Sequence, residues 1–324
     1  MIGVNFSWEK LGRAFSPSAD APDHPWIQSY AQSPASILLD DRIRVFFCSR
    51  ESQPTDGQFL SRIFYVDLDR RDPTKLLAIC EEPIIELGGL GCFDQFGMNP
   101  LSVIRVGNEL RIYYAGWTRC QAVPFNSAIG MVAGSTDDGS FSRFAKGPVL
   151  SYAPDEPFTV GSPRIKSFDS SYYLWYAAGR KWMQGPDRPE PIYKIRLATS
   201  VDGTNWKRFG ADLISDVLGE DECQASAEVI AIEGHYHMFF SYRPALGYKE
   251  PGNGYRIGYA QSNDLTTWTR DDSRAGIGMS DDGWDSESVS YPNLLAVDDE
   301  TYMFYQGNGM GESGFGVARL AESS

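Results

Sequence analysis

Ser162-Pro163-Arg164-Ile165-Lys166-Ser167-Phe168-Asp169-Ser170-Ser171-Tyr172-Tyr173-Leu174-Trp175-Tyr176 opens a unit that recurs along the chain. A small residue and a proline precede an apolar run. A polar pair turns the chain, and an aromatic strand end follows. Counting Ser162-Pro163, the anchors are Ser33-Pro34, Asn99-Pro100, Ser226-Ala227 and Tyr291-Pro292, spaced by 66, 63, 64 and 65 residues. The turns are Asp40-Asp41, Gly107-Asn108, Asp169-Ser170, Glu233-Gly234 and Asp298-Asp299, pairs that suit hairpins. The aromatic ends are Phe46-Phe47, Tyr113-Tyr114, Trp175-Tyr176, Phe239-Phe240 and Phe304-Tyr305.

A third strand follows each time, as in Ile195-Arg196-Leu197-Ala198 and Ile257-Gly258-Tyr259-Ala260. Two repeats continue into Ser-x-Asp-x-x-x-Trp (Ser200 to Trp206, Ser262 to Trp268), with a looser copy from Ser135 to Phe141. The motif reads as a hairpin turn before a fourth strand, its Trp packed between sheets. A repeat of this length means stacked supersecondary units. The expectation is an all-β five-bladed β-propeller with four-stranded antiparallel blades, one domain over residues 1–324. The last unit lacks a fourth strand, and Ser7 to Gly12 matches Asn205 to Gly210. The N-terminal strand is expected to complete the last blade and close the ring, removing a free edge.

Composition narrows the partners. The net charge of −14 disfavours phosphate backbones and anionic membrane surfaces, so no nucleic acid and no membrane is expected. The N-terminal stretch Met1 to Trp8 has neither a basic nor an apolar leader region. The five cysteines (Cys48, Cys80, Cys92, Cys120, Cys223) form no CxxC pair. A reducing cytoplasm fits these thiols. No metal-ligand cluster is read and no cofactor is expected. His235 and His237 flank Tyr236 and read as surface positions. Oligomeric state is left open.

Propeller topology sorts the polar residues. The start of strand one and the end of strand two share a face, so residues before the anchors and after the aromatics converge there. The carboxylates of this set that point to catalysis are Asp94, Glu222, Asp285 and Glu287. Asp94 also reads as a turn cap, and Glu222 as part of a solvated run. Asp285 and Glu287 alternate, which in a strand places both on one side. The substrate-binding candidates are Gln28, Arg50, Trp117, Arg164, Arg180, Lys181, Trp182, Arg243 and Asn308. Arg164 reads equally as a central-channel partner of Glu228. Aromatic faces stack on sugar rings while polar groups fix hydroxyls, and paired carboxylates serve acetal chemistry. The stretches 81–98, 117–127, 180–192 and 243–254 read as long loops on this face.

The chain resembles the five-bladed glycosidase clans, including glycoside hydrolase families 43, 32 and 130. It is more closely similar to a bacterial "glycosylase" or family-43-like group that accompanies surface-polysaccharide genes. The matching stretches include Ser61 to Asp67, Phe93-Asp94 with Gly97, Val123 to Gly130, Lys181-Trp182, Tyr255 to Ala260, Gly283 to Glu287, and Asn308-Gly309 with Gly314 to Gly316. The resemblance implies a carbohydrate-active enzyme on a glycosidic bond, linked to surface polysaccharide. The alternatives are a glycosyltransferase or phosphorylase on the same fold, or a non-catalytic glycan-binding propeller. The hydrolases place an acid directly before the strand-one proline in two blades and a Glu two residues before it in a third. Here those positions hold Ser33, Asn99 and Gly161, so that triad does not carry over.

Overall fold

The structure is a computed structural model that describes residues 5–52, 59–135 and 140–321. Residues 1–4 of the N-terminal stretch and 136–139 within the looser Ser135–Phe141 copy lie outside this set. The first strands are β1 (Trp8–Phe15), β2 (Ser29–Leu38), β3 (Arg42–Ser52), β4 (Phe59–Asp69) and β5 (Leu76–Ile79). Next come β6 (Gly97–Val106), β7 (Glu109–Arg119), β8 (Phe125–Ser135) and β9 (Phe141–Arg143). A further group is β10 (Val160–Phe168), β11 (Ser171–Gln184), β12 (Pro189–Ser200) and β13 (Lys207–Arg208). The rest are β14 (Glu222–Ile232), β15 (His235–Pro244), β16 (Arg256–Ser262), β17 (Trp268–Arg270), β18 (Ser290–Val297), β19 (Glu300–Gln306) and β20 (Phe315–Leu320).

Pairing within each group is antiparallel. Strands β10 to β13 form one four-stranded sheet and β14 to β17 another. Strands β2 to β9 form an eight-stranded sheet whose two antiparallel halves meet through one parallel pair, Ser61 with Gly97. The remaining sheet has the order β1-β20-β19-β18, so the N-terminal strand completes it, with Trp8 opposite Leu320 and Phe15 opposite Phe315. The architecture is all-β and propeller-like.

The repeated turns make the hairpins. Asp169 and Ser170, Glu233 and Gly234, Gly107, and Asp298 all have positive φ, the twist that matches right-handed strands. The repeated aromatic pairs make the core. Neighbours along a strand face opposite sides of the sheet, so each pair fills two interfaces. Tyr114 packs with Phe46 and Ile63 of β3 and β4, while Tyr113 packs with Leu174 of β11 and, edge-on, with Trp206. Trp175 and Tyr176, Phe239 and Phe240, and Phe304 and Tyr305 divide in the same way. The last of these clusters joins Phe315 and Phe304 to Phe47 and Phe64, packing the final sheet on the first.

Each innermost strand is irregular at its anchor. Register shifts fall at Gln32/Ala35, Pro100/Ser102, Gly161/Arg164, Ala225/Glu228 and Ser290/Asn293. Ser33, Ser162, Ser226 and Tyr291 are left-handed there, with φ of 56°, 49°, 54° and 56°. A non-glycine residue in that region costs ~1–3 kcal/mol and persists only where its surroundings impose it. The bulges re-aim the strands and bring main-chain carbonyls to the axis.

Candidate functional site

Arg164 occupies that axis. It is buried, and its guanidinium donates to the carbonyls of Pro34 (3.4 Å), Tyr291 (3.3 Å) and Leu101, while Nε donates to Ser226 Oγ (3.0 Å). With its own β10 it touches β2, β6, β14 and β18. Its counter-ion is Glu228, at 3.6 Å, which also pairs with Lys166 at 2.5 Å. Burial lowers its pKa to about 10. Arg164 is therefore bound on every side by protein groups, and it lines neither cavity described below. This is the channel-partner reading rather than the substrate-binding one. A small cavity of about 230 Å³, lined by Ser36, Ser102, Lys166, Glu228 and Asn293, lies along the same innermost strands.

A second cavity of about 960 Å³ opens where the innermost strands begin. That is the upper end of the range for ligand pockets. Its neutral residues at the anchors are Gln32, Asn99, Gly161 and Ser162. Asn99 Oδ1 is buried with no hydrogen-bond partner among the described residues. Aromatic rings form much of the wall: Tyr30, Phe59, Trp117, Phe125, Tyr193, Tyr248, Tyr255 and Tyr291. Five cations (Arg50, Arg119, Arg188, Arg243, Lys249) and four acids (Glu190, Glu250, Glu287, Glu312) complete it.

Of the residues expected from sequence, Arg50, Trp117, Arg243 and Glu287 line this cavity. Arg50 donates to Gln32 Oε1 (2.8 Å) and lies 4.3 Å over the Tyr30 ring. The Trp117 indole rests on Gly97, where any Cβ would collide with it. Glu287 is exposed, and its backbone N–H, with that of Ser288, donates to Asn308 Oδ1 at 2.8 and 3.1 Å. Asn308 thus positions the Glu287 loop without lining the cavity. Trp182 packs edge-on against Phe125 (5.6 Å). Lys181 pairs with Asp221 (2.7 Å), and Arg180 with the Asp155 carbonyl (3.0 Å) and Asp212. Gln28 is exposed and outside the lining.

Asp94, Glu222 and Asp285 do not line the cavity. They are buried and ion-paired, although Asp94 takes both of its bonds on Oδ2 and its Oδ1 has no partner among the described residues. Asp94 accepts from Tyr114 OH (2.9 Å) and Arg143 Nε (3.0 Å). Asp285 accepts from Tyr305 OH (2.9 Å) and Lys10 Nζ (2.7 Å). Glu156 repeats the pattern with Tyr176 OH (2.6 Å) and Arg208 Nε (2.9 Å). Glu222 takes Arg270 (2.6 Å) and the N–H groups of Val217 and Leu218 (3.0 Å each). In each sheet the cation comes from the fourth strand, or from β1 in its place, so the acid clasps the sheet margin. Burial, then the adjacent carboxylate, pushes the Tyr114 and Tyr305 hydroxyls up, and they stay protonated donors. Asp285 and Glu287 do not share a face, because residues 281–289 turn rather than extend. His237 is also buried, with Nδ1 2.6 Å from Tyr259 OH, where a surface position was expected.

Glu190, Tyr193 and Tyr255 were not singled out from sequence. The stretch 180–192, read as a loop, is a hairpin extension in which Trp182 faces Pro191 and Gln184 faces Pro189. The start of strand three shares a face with the end of strand two. Ser61, Phe125, Tyr193 and Tyr255 all reach the cavity by that route. The repeat spacing held that signal.

No model of a known protein family matches the chain. An uncharacterized Mycobacterium tuberculosis protein, Rv1502, is 34% identical over 316 residues, covering 97% of this chain and 99% of that one. The chain belongs to the family of Rv1502. A β-1,2-mannobiose phosphorylase of Thermoanaerobacter is 28% identical over 156 residues, 45% of this chain and 47% of its own. Among solved structures, a glycoside hydrolase superposes with a TM-score of 0.73 at 16% identity, covering 99% and 93% of the two chains. That likeness supports an all-β, propeller-like fold. Among the described residues no helix is long and apolar enough to cross a membrane.

Proposed function

We propose that this protein is a carbohydrate-active enzyme that holds its substrate in the larger cavity and acts on a glycosidic bond. The five antiparallel groups are read as five blades of one domain around Arg164. The observation that carries the reading is a cavity of this size with aromatic walls and two glutamates on it, Glu287 exposed and Glu190 held by Arg188 and Tyr248. Sugar rings stack on aromatic faces, and an acetal needs a proton donor and a second carboxylate. Glu287, open to the cavity, is assigned proton transfer. Glu190, fixed by Arg188 Nε (2.9 Å) and Tyr248 OH (3.4 Å), is assigned the second role. Hydrolysis and phosphorolysis both suit this arrangement, and the cationic wall and the phosphorylase relative support the latter. A cytoplasmic place in surface-polysaccharide metabolism agrees with the free thiols.

Glu287→Gln and Glu190→Gln test the assignment on aryl glycosides, with and without inorganic phosphate. Loss of a proton-transfer group lowers turnover ~10²–10⁴-fold. Release of a sugar phosphate identifies phosphorolysis. Undiminished turnover in both variants rejects the pair. The neutral Gln32, Asn99 and Ser162 favour a second reading, a glycan-binding protein without catalysis. Sugar binding by calorimetry with no turnover across a broad glycoside set establishes it.

A further inference from the structure

The buried cations of this protein differ in one respect. Arg44 pairs with Asp67 (2.7 Å), Arg164 with Glu228 (3.6 Å), Lys194 with Asp216 (2.5 Å) and Arg196 with Asp155, Glu156 and Asp212. Arg243 is equally enclosed, at 3% exposure, and no carboxylate lies within 4.0 Å of it among the described residues. Its Nη1 donates to the carbonyls of Pro244 (2.9 Å) and Ala245 (3.0 Å), and its Nη2 to Tyr193 OH (3.1 Å). Its Nε has no hydrogen-bond partner among the described residues. Tyr248 lies 3.8 Å beneath the guanidinium. A buried charge without a counter-ion is costly, and arginine does not shed its proton.

The hydroxyls beside it are also incomplete. Tyr193 OH and Tyr255 OH share one hydrogen bond of 2.5 Å. Tyr193 already accepts from Arg243. Two hydroxyls hold two protons, and their mutual bond uses one. The other has no acceptor among the described residues, and both rings line the cavity. Arg243 polarises this pair, making its spare O–H a strong donor.

We propose that the sugar bound in the cavity carries a carboxylate, as a uronic acid does, held at the Tyr193–Tyr255 hydroxyls with Arg243 behind them as counter-ion. This rests on the carbohydrate reading above and names the class of sugar. A carboxylate fits better than a free phosphate. Arg243 is a single cation whose Nη1 donors are already shared with two carbonyls, and with the polarised hydroxyl it matches a single negative charge. A phosphate carries ~1.5–2 charges and three acceptor oxygens. The surrounding Tyr248 and Tyr291 faces also suit a pyranose ring.

Calorimetry and thermal shift of the full chain with glucuronate, galacturonate, glucose, galactose and inorganic phosphate test this at constant ionic strength. At least one uronate is expected to bind tenfold or more tighter than its neutral counterpart. Arg243→Met and Tyr193→Phe are expected to erase that preference, and Arg243→Met to leave the melting temperature unchanged or raised. Phosphate binding that is tighter than either uronate and is lost in Arg243→Met and Tyr193→Phe, or no preference for a uronate in the unaltered protein, overturns the proposal. So does a preference that survives both substitutions. If Arg243→Met fails to fold, Tyr193→Phe and the unaltered protein still decide. Turnover of neutral glycosides without uronate preference sinks this inference alone. Uronate binding without turnover of any glycoside sinks the enzymatic reading alone.

Discussion

The margins of the sheets and the wall of the cavity use the same residue types in opposite states. At the margins, Asp94, Glu156 and Asp285 each hold a tyrosine hydroxyl and a cation from the outermost strand. At the wall, Glu287 is exposed and Arg243 is buried without a carboxylate. Satisfied charges hold a fold together, whereas unsatisfied ones are kept at a cost that a ligand can offset. Residue type alone did not separate the two groups; among the described residues Glu287 and Arg243 lack an ion partner, while Glu190, also on the wall, keeps Arg188 and Tyr248.

The comparison breaks most visibly at the two buried arginines. Arg164→Met removes the group that ties five strands to the axis, leaving three carbonyls without their donor and Glu228 with Lys166 as its remaining cation. Breaking a buried pair from one side costs ~3–5 kcal/mol. Urea denaturation is expected to show a loss of that size, against little or none for Arg243→Met. Equal losses in the two variants would remove the distinction between axial scaffold and cavity wall.

A smaller effect separates the two sets of acids. Glu156→Gln keeps the shape but weakens charge-assisted bonds from Arg196 and Arg208, each worth ~1.5–3 kcal/mol. Those cations retain other partners, Asp155 and Asp212 for Arg196 and the Ser151 carbonyl for Arg208. A net loss of ~2–3 kcal/mol by denaturation is expected. Turnover per folded molecule is expected to stay near that of the unaltered protein, while Glu287→Gln gives the reverse. If Glu156→Gln keeps its stability and loses turnover, the margin acids belong to the chemistry.

Most of the architecture was legible in the repeat. Spacing, turn pairs and aromatic doublets place β2 to β4, β6 to β8 and their successors, and the Trp8 stretch finds its partner in β20. The site was legible only in part. Topology led from strand ends to Arg50, Trp117, Arg243 and Glu287, which line the larger cavity. Asp94, Glu222 and Asp285 do not line that cavity, because four to six residues before an anchor the chain still runs along the sheet margin. A fourth-strand cation there is distant in sequence: Arg143 lies beyond three strands from Asp94, and Lys10 lies at the other end of the chain from Asp285. Glu190 and Tyr193 were missed because four extra ladder pairs, Lys181 with Ile192 to Gln184 with Pro189, turn an apparent loop into a hairpin.

His237 sharpens the comparison further, as a buried base that solves the problem differently from Arg243. Burial, with Arg274 adding to it, lowers its pKa from 6.5 to about 4. The ring discards its proton and packs neutral against Phe6 (5.3 Å) and Tyr259 (5.9 Å). Between pH 6.5 and 4 the unfolded chain binds a proton that the folded chain refuses. Stability therefore rises with pH across that window and is complete above it. Lowering the pH from 7.5 to 5 spans ~1.5 units of the window, or ~2 kcal/mol at 1.36 kcal/mol per unit. Denaturation at the two pH values is expected to show this loss in the unaltered protein and a smaller one in His237→Phe. An identical pH dependence in the variant would mean that His237 is not a neutral ring in the fold. Arginine has no such exit at any pH the protein survives, so a bound anion is the remaining way for Arg243 to be neutralised where it stands.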